Sequence, residues 1–330
     1  MTTTHPFAEF IEILGRGKNG SRSLSFDEAW RAMTMVMRDE VEAVQLGAFL
    51  MLLRVKEESP EELAGFARAA RQALPGQPPT GVQLDWPSYA GKRRQLPWFV
   101  LSAQLLAHNG IPVFMHGSRG RKPDRIYTEQ AITALGLPVC MDFAMATTEI
   151  ARRGFAYVPL QNFAPRLQQI MDLRALLGLR SPINTLLRVL NPSDAPYLLQ
   201  STFHPNYREI HQQTALLLRH PHMAVFKGES GEIERDPDRE CDVYAVHNEV
   251  ATIEHWPPMF AKGRHLKDEK MDITRLAALW RGDIDDEYGT AAVIGTTAIV
   301  LRLLQRAAGP QQALQQAGDL WQARPRQHFD

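Results

Sequence analysis

From Tyr89 to Arg125 the chain reads YAGKRRQLPWFVLSAQLLAHNGIPVFMHGSRGRKPDR, and this stretch constrains the fold most. A basic glycine turn, Gly91-Lys92-Arg93-Arg94, precedes a helix-length apolar run from Trp98 to His108. A short buried-strand pattern, Ile111 to Phe114, leads into a second basic glycine loop, His116-Gly117-Ser118-Arg119-Gly120-Arg121-Lys122. Two such loops bracket one helix–strand unit, and in an open α/β sheet the loops at the carboxyl ends of strands line the ligand crevice. Lys92, Arg93, Arg94, Arg119, Arg121, Lys122 and Arg125 face one acid, Asp124, a concentration of charge that attracts phosphates or nucleic-acid backbones. A run of like charge is otherwise a solvated surface. Glycine in both loops favours the ligand reading, because it permits close backbone approach.

The chain has 330 residues, enough for one large core or two unequal ones. Lys+Arg and Asp+Glu balance at 37 each, so affinity for polyanions must come from local asymmetry. The Lys92 to Arg125 region is positive, and Glu229 to Asp242 is negative and expected as a solvated acidic loop. Cys140 and Cys241 have neither CxxC spacing nor a disulfide framework, which fits a reducing cytosol. No apolar run reaches spanning length and the N-terminus lacks a secretory pattern, so a cytoplasmic protein without membrane association is expected.

Residues 5–75 read as helices. Ser25 opens one with acids in its first turn, and Ser59-Pro60-Glu61-Glu62 opens another. Val41 to Val55 is apolar almost all round and needs a partner surface, which favours a homodimer through these N-terminal helices. Pro75-Gly76-Gln77-Pro78-Pro79 marks a linker. Short apolar strands then alternate with amphipathic helices, an α/β pattern. The expected organisation is a helical dimerisation domain over residues 1–75, with helices from about 165–190 packing on it. An α/β domain with a central, mostly parallel sheet covers residues 80–330. His220-Pro221-His222 reads as a surface turn, Lys262 to Lys267 as a basic loop, and the end, ARPRQHFD, as frayed.

Several stretches resemble the anthranilate phosphoribosyltransferase family, glycosyltransferase family 3, with its nucleoside phosphorylase relatives. They are the run from Phe26 to Arg71, MHGSRG, TALGL, Phe163-Ala164-Pro165, LRALLGLRSPIN and Asn191-Pro192. The resemblance implies a small α-helical domain, a larger α/β domain and a homodimer. The family holds a diphosphate in a Gly-Thr-Gly-Gly-Asp loop, and the matching positions here are Ser88-Tyr89-Ala90-Gly91-Lys92. Its Asn-Ile-Ser-Thr run corresponds to Trp98-Phe99-Val100-Leu101, where apolar groups replace polar donors. The acidic pair that carries magnesium in the family falls near Glu232 and Glu234, with Glu234 keeping the acid. Gly91, His116, Gly117, Ser118, Arg174 and Asn184 correspond to a residual small-ligand site.

The sequence is similar to a divergent branch of this family whose members bind nucleic acids. The expected function is therefore sequence-independent binding of single- and double-stranded DNA and RNA through Lys92, Arg93, Arg94, Arg119, Arg121, Lys122 and Arg125, with no cofactor required. The alternative is a phosphoribosyl- or other pentosyltransferase with altered donor or acceptor, which alone would need Mg2+. No catalytic residue is assigned on either reading.

Overall fold

Ser25 and Ser59 each precede a glutamate by three residues, and both capping boxes form: the serine accepts from the Glu28 or Glu62 amide, and the glutamate accepts back. The computed structural model describes residues 4–17, 19–120, 123–261, 268 and 270–329. Helices α1 (Ala8–Gly15), α2 (Phe26–Met37), α3 (Ala43–Lys56) and α4 (Pro60–Gln72) build the N-terminal helical domain. Glu62 does more than cap: fully buried, it also accepts from the Leu24 amide at 2.8 Å and from Lys56 Nζ at 2.7 Å.

Strand β1 (Leu84–Ser88) and helix α5 (Phe99–His108) are followed by β2 (Val113–Gly117), α6 (Thr128–Ala134), α7 (Phe143–Arg153) and β3 (Phe155–Pro159). Four short helices come next: α8 (Leu160–Phe163), α9 (Pro165–Asp172), α10 (Arg174–Leu177) and α11 (Ile183–Val189). Then β4 (Tyr197–Thr202), α12 (Tyr207–Leu217), β5 (His222–Lys227), β6 (Cys241–His247) and β7 (Val250–Trp256) complete the sheet. The chain closes with α13 (Arg275–Arg281), α14 (Glu287–Leu303) and α15 (Pro310–Gln322).

The seven strands run in the order β3-β2-β1-β4-β5-β6-β7; the first five are parallel, and β6 and β7 form an antiparallel hairpin at one edge. Strand order reverses at β1 and β4, and such a switch point opens a crevice at the carboxyl ends of those strands. Side chains alternate between two cores with the period of a strand. Val113, Met115, Phe155 and Tyr157 join Trp86 and α14 on one face. Phe114, Ala156 and Val158 join the helical domain's Phe10, Phe49 and Phe66 on the other, with Leu186 and Leu187 of α11 in that same core.

The structure corrects three expectations. The C-terminal ARPRQHFD is docked rather than frayed: Arg324 is buried and donates to the Trp280 and Leu279 carbonyls, and Phe329 packs on Trp280. His220 is buried, and His222 sits in β5 stacked on Tyr197, so this is not a surface turn. The third is the acidic segment after β5. Glu232, Ile233, Glu234 and Arg235 are all at most 1% exposed. The basic loop at 262–267 lies outside the described residues.

Candidate functional site: an anion turn and an arginine cleft

The turn after β1 places Gly91 at φ +70°, a left-handed conformation suited to glycine, and turns the Ala90 and Gly91 amides toward one point. The carboxylate of Glu232 fills that point. Its Oε1 accepts from the Ala90 amide at 2.7 Å and the Gly91 amide at 2.5 Å, and its Oε2 accepts from Ser88 Oγ at 2.7 Å. Thr128 Oγ1 lies 2.5 Å behind Ser88 Oγ and completes the chain. Carbonyls of the same turn face the other way, and Arg125 ties them down, donating to Ala90 O at 2.8 Å and Gly91 O at 3.0 Å.

Lys92, expected as an accessible cation, is fully buried. Its ammonium donates to Glu234 Oε1 at 2.5 Å and to Glu229. A charge in the interior needs such partners, and once paired it offers nothing to an external polyanion. Glu234 also caps α5, its Oε2 accepting from the Phe99 amide at 2.9 Å. The magnesium role expected for Glu232 and Glu234 therefore does not fit: amides, Ser88 and Lys92 take up both carboxylates. Among the described residues no group of three His, Cys, Asp or Glu side chains is placed to hold a metal.

The other basic residues divide. Arg93 is exposed and pairs with Asp124 at 3.0 Å; Arg94 is exposed. Arg119 is exposed and forks onto Glu129 at 2.7 and 3.0 Å. Arg121 and Lys122 lie outside the described residues. Tyr89 and Trp98, aromatic neighbours of the basic turn that could otherwise stack on bases, are buried. Tyr89 instead donates to His116 Nδ1 at 2.7 Å, while His116 Nε2–H donates to Asp85 at 3.1 Å, and Ser193 Oγ donates to the other Asp85 oxygen at 2.9 Å. This buried chain positions His116. Gly117 is a packing requirement, since a Cβ there would overlap the Ser88 carbonyl.

Beside these filled sites lies an open one. A cleft of about 290 Å³ runs between the loops after β1 and β2 and helices α9–α11, lined by Tyr89, Ser118, Arg119, Tyr127, Arg174 and Asn184. A second hollow of about 110 Å³ adjoins it through Arg180 and Asn184, and brings in Arg54, Arg188 and His211. Two carboxylates line these hollows as well, Asp172 in the cleft and Glu58 in the second hollow, where Tyr207 donates to Glu58 at 2.9 Å and Arg54 is its near counter-charge. Partial desolvation, then the like charges of Arg174 and Arg125, push the Arg180 guanidinium below its ordinary range. Arg180 belongs to the stretch LRALLGLRSPIN and Arg188 lies beyond it; only the structure shows Arg180 beside Arg174 and Asn184, and Arg188 beside Asn184.

Burial pushes the Glu234 carboxyl up to about 7; Lys92 pulls it down and Glu229 pushes it up again. A raised folded-state value means that the protonated carboxyl favours the fold. Its contribution is complete below the ordinary value of 4.5 and is lost as pH rises through about 7. Wild type should therefore lose stability relative to Glu234→Gln between pH 5 and pH 8, as measured by paired urea denaturation. A constant difference across that range would contradict the assignment.

Residues 8–74 match the family model described as glycosyl transferase family, helical bundle domain. Against individual proteins, the chain is 30% identical over 206 residues to the uncharacterized protein YbiB of Escherichia coli K12, covering 61% of this chain and 64% of that one. That match spans less than two thirds of the relative's length. It is 25% identical over 295 residues to the anthranilate phosphoribosyltransferase of Thermomicrobium roseum, covering 87% and 79% of the two chains. The crystal structure of anthranilate phosphoribosyltransferase from Thermus thermophilus superposes with a TM-score of 0.81 at 21% identity, over 96% of this chain and 94% of that one. The chain thus has the two-domain fold of that enzyme, on an anthranilate phosphoribosyltransferase-like scaffold.

Proposed function

We propose that this chain is a glycosyltransferase-type protein, of the pentosyl- or phosphoribosyltransferase kind, whose donor or acceptor differs from that of anthranilate phosphoribosyltransferase. The observation that carries this reading is the arginine cleft. Arg54, Arg174 and Arg180 gather around Asn184 and outnumber Glu58 and Asp172, the carboxylates that line the same hollows, an arrangement suited to a small anion such as a sugar phosphate or an aromatic acid. The filled anion turn is the reason to expect an altered donor, because a diphosphate cannot share the amides that Glu232 already holds. The names of the relatives support the class.

Transfer from phosphoribosyl pyrophosphate or a pentose 1-phosphate to a panel of aromatic acids and bases tests it. Arg174→Ala with Arg180→Ala should lower activity and sugar-phosphate affinity at least about tenfold, the effect of losing charge-assisted hydrogen bonds. No turnover with any donor, and no sugar-phosphate binding by wild type, would refute the reading.

A nucleic-acid function is a second reading. Arg93, Arg94 and Arg119 remain exposed on the loops after β1 and β2, although Asp124 and Glu129 partly neutralise them. Its signature is DNA or RNA affinity that falls steeply with salt. We also propose a homodimer through the helical domain, because Val44 and Val55 of α3 are 80% and 82% exposed on a helix that is otherwise largely apolar. No helix among the described residues is long and apolar enough to cross a membrane, and both cysteines are free. These features accord with a cytoplasmic location.

A further inference from the structure

We infer that the Ala90–Gly91 turn is a working oxyanion site that the protein keeps filled with its own Glu232 carboxylate, which excludes free phosphoryl groups. Two successive amides converging on one oxygen, with a hydroxyl on the second oxygen, form the kind of backbone nest that binds phosphate in other proteins. Tyr89 and Ala90 also line the arginine cleft, which brings that cleft to the edge of the buried turn.

The segment that delivers Glu232 is shaped for that task. Gly228 lies so close to the Glu232 carbonyl that any side chain there would overlap it. Ser230 and Gly231 adopt left-handed conformations at φ 55° and 83°, which folds the loop back toward β1. Arg188 fastens the return, its Nη1 donating to Gly231 O at 2.7 Å and Ser201 O at 2.6 Å. A solvated acidic loop would need none of this.

Charge argues the same way. Glu232 is the carboxylate that offsets the partly buried Arg188 guanidinium, whereas Lys92 is served by Glu229 and Glu234. Removing the Glu232 side chain would leave two amides without an acceptor, the Ser88 hydroxyl with Thr128 alone, and Arg188 without its counter-charge. A phosphoryl anion supplies both. This inference goes beyond the transferase reading and does not rest on it, because the preference of the turn is independent of what the arginine cleft holds.

The test uses the full chain as wild type, Glu232→Ala and Glu232→Gln, titrated with inorganic phosphate and with pyrophosphate against chloride at matched ionic strength. Binding is read by calorimetry and thermal unfolding. Glu232→Ala should bind saturably, and its folding constant should rise about a hundredfold at phosphate a hundred times Kd. Glu232→Gln, which keeps the shape and one acceptor oxygen without the charge, should bind more weakly than Glu232→Ala. Wild type should show no saturable response at this turn. Adding Arg174→Ala to the Glu232→Ala background should leave phosphate binding unchanged, which separates this site from the arginine cleft. If Glu232→Ala accumulates unfolded, refolding decides: recovery in phosphate but not in chloride supports the inference, and equal failure in both overturns it. A folded Glu232→Ala that takes up no phosphate, or takes it up no better than wild type, also overturns it.

Discussion

Replacing Lys92 with methionine is expected to lower folding stability by about 3–5 kcal/mol, the usual result of stranding a buried charge partner. Methionine keeps most of the length and the apolar stem, so the loss isolates the ammonium. Without it, Glu234 and Glu229 face each other across a site where Glu234 is fully buried, and Glu234 can escape the repulsion only by holding a proton. The carboxyl, already pushed up to about 7, then rises further. Protonation favours the folded variant, so its deficit should shrink as pH falls from 8 to 5. Urea denaturation at both values measures this. Lys92→Met combined with Glu234→Gln should recover part of the loss, because the two sites act on one another. A deficit under about 1 kcal/mol would mean that Lys92 is exposed after all, as a surface pair contributes no more than that.

Gly228→Ala should destabilise on the order of 3 kcal/mol, although the change adds a single methyl group. The Gly228 backbone conformation is ordinary; the constraint is space. The added Cβ would overlap the Glu232 carbonyl oxygen and sit 2.8 Å from Ser201 Cβ, and a backbone atom cannot swing aside as a side-chain tip can. Relief requires the 228–234 loop to lift, which withdraws Glu232 from the Ala90 and Gly91 amides. Gly318→Ala is the matched control. It lies in α15 with nothing within 4 Å of an added Cβ, and exchange of a helical glycine for alanine should gain roughly 0.5–1 kcal/mol. Thermal unfolding of the two variants should move in opposite directions.

The elements most legible in the sequence are those whose signals are local. Ser25 and Ser59 announce their helices through residues three positions away, and the short apolar run Phe155–Pro159 forms a buried strand. By contrast, β1 hides because Asp85 and Pro87 interrupt its apolar pattern. Asp85 is tolerated in the core only because His116 and Ser193, 31 and 108 residues away, donate to it. The site misleads for the same reason. Lys92 stands among arginines in a glycine turn, and its counter-charges arrive from 137 and 142 residues downstream. Glu232 and Glu234 sit in an acidic run that resembles a solvated loop until the amides they cap are brought to them. Charge read along the chain is right in sign. Its neutralisation across the fold depends on topology, which charge pattern does not encode.

Where accessible positive charge resides separates the transferase reading from nucleic-acid binding. Wild type, Arg174→Ala/Arg180→Ala and Arg93→Ala/Arg94→Ala should be titrated in parallel with ribose 5-phosphate and with labelled single-stranded DNA at two salt concentrations. On the transferase reading wild type should bind the sugar phosphate, the Arg174/Arg180 pair should weaken that binding at least about tenfold, and the Arg93/Arg94 pair should leave it unchanged. Tight, salt-steep DNA binding that collapses with Arg93 and Arg94, together with indifference to ribose 5-phosphate, would contradict it.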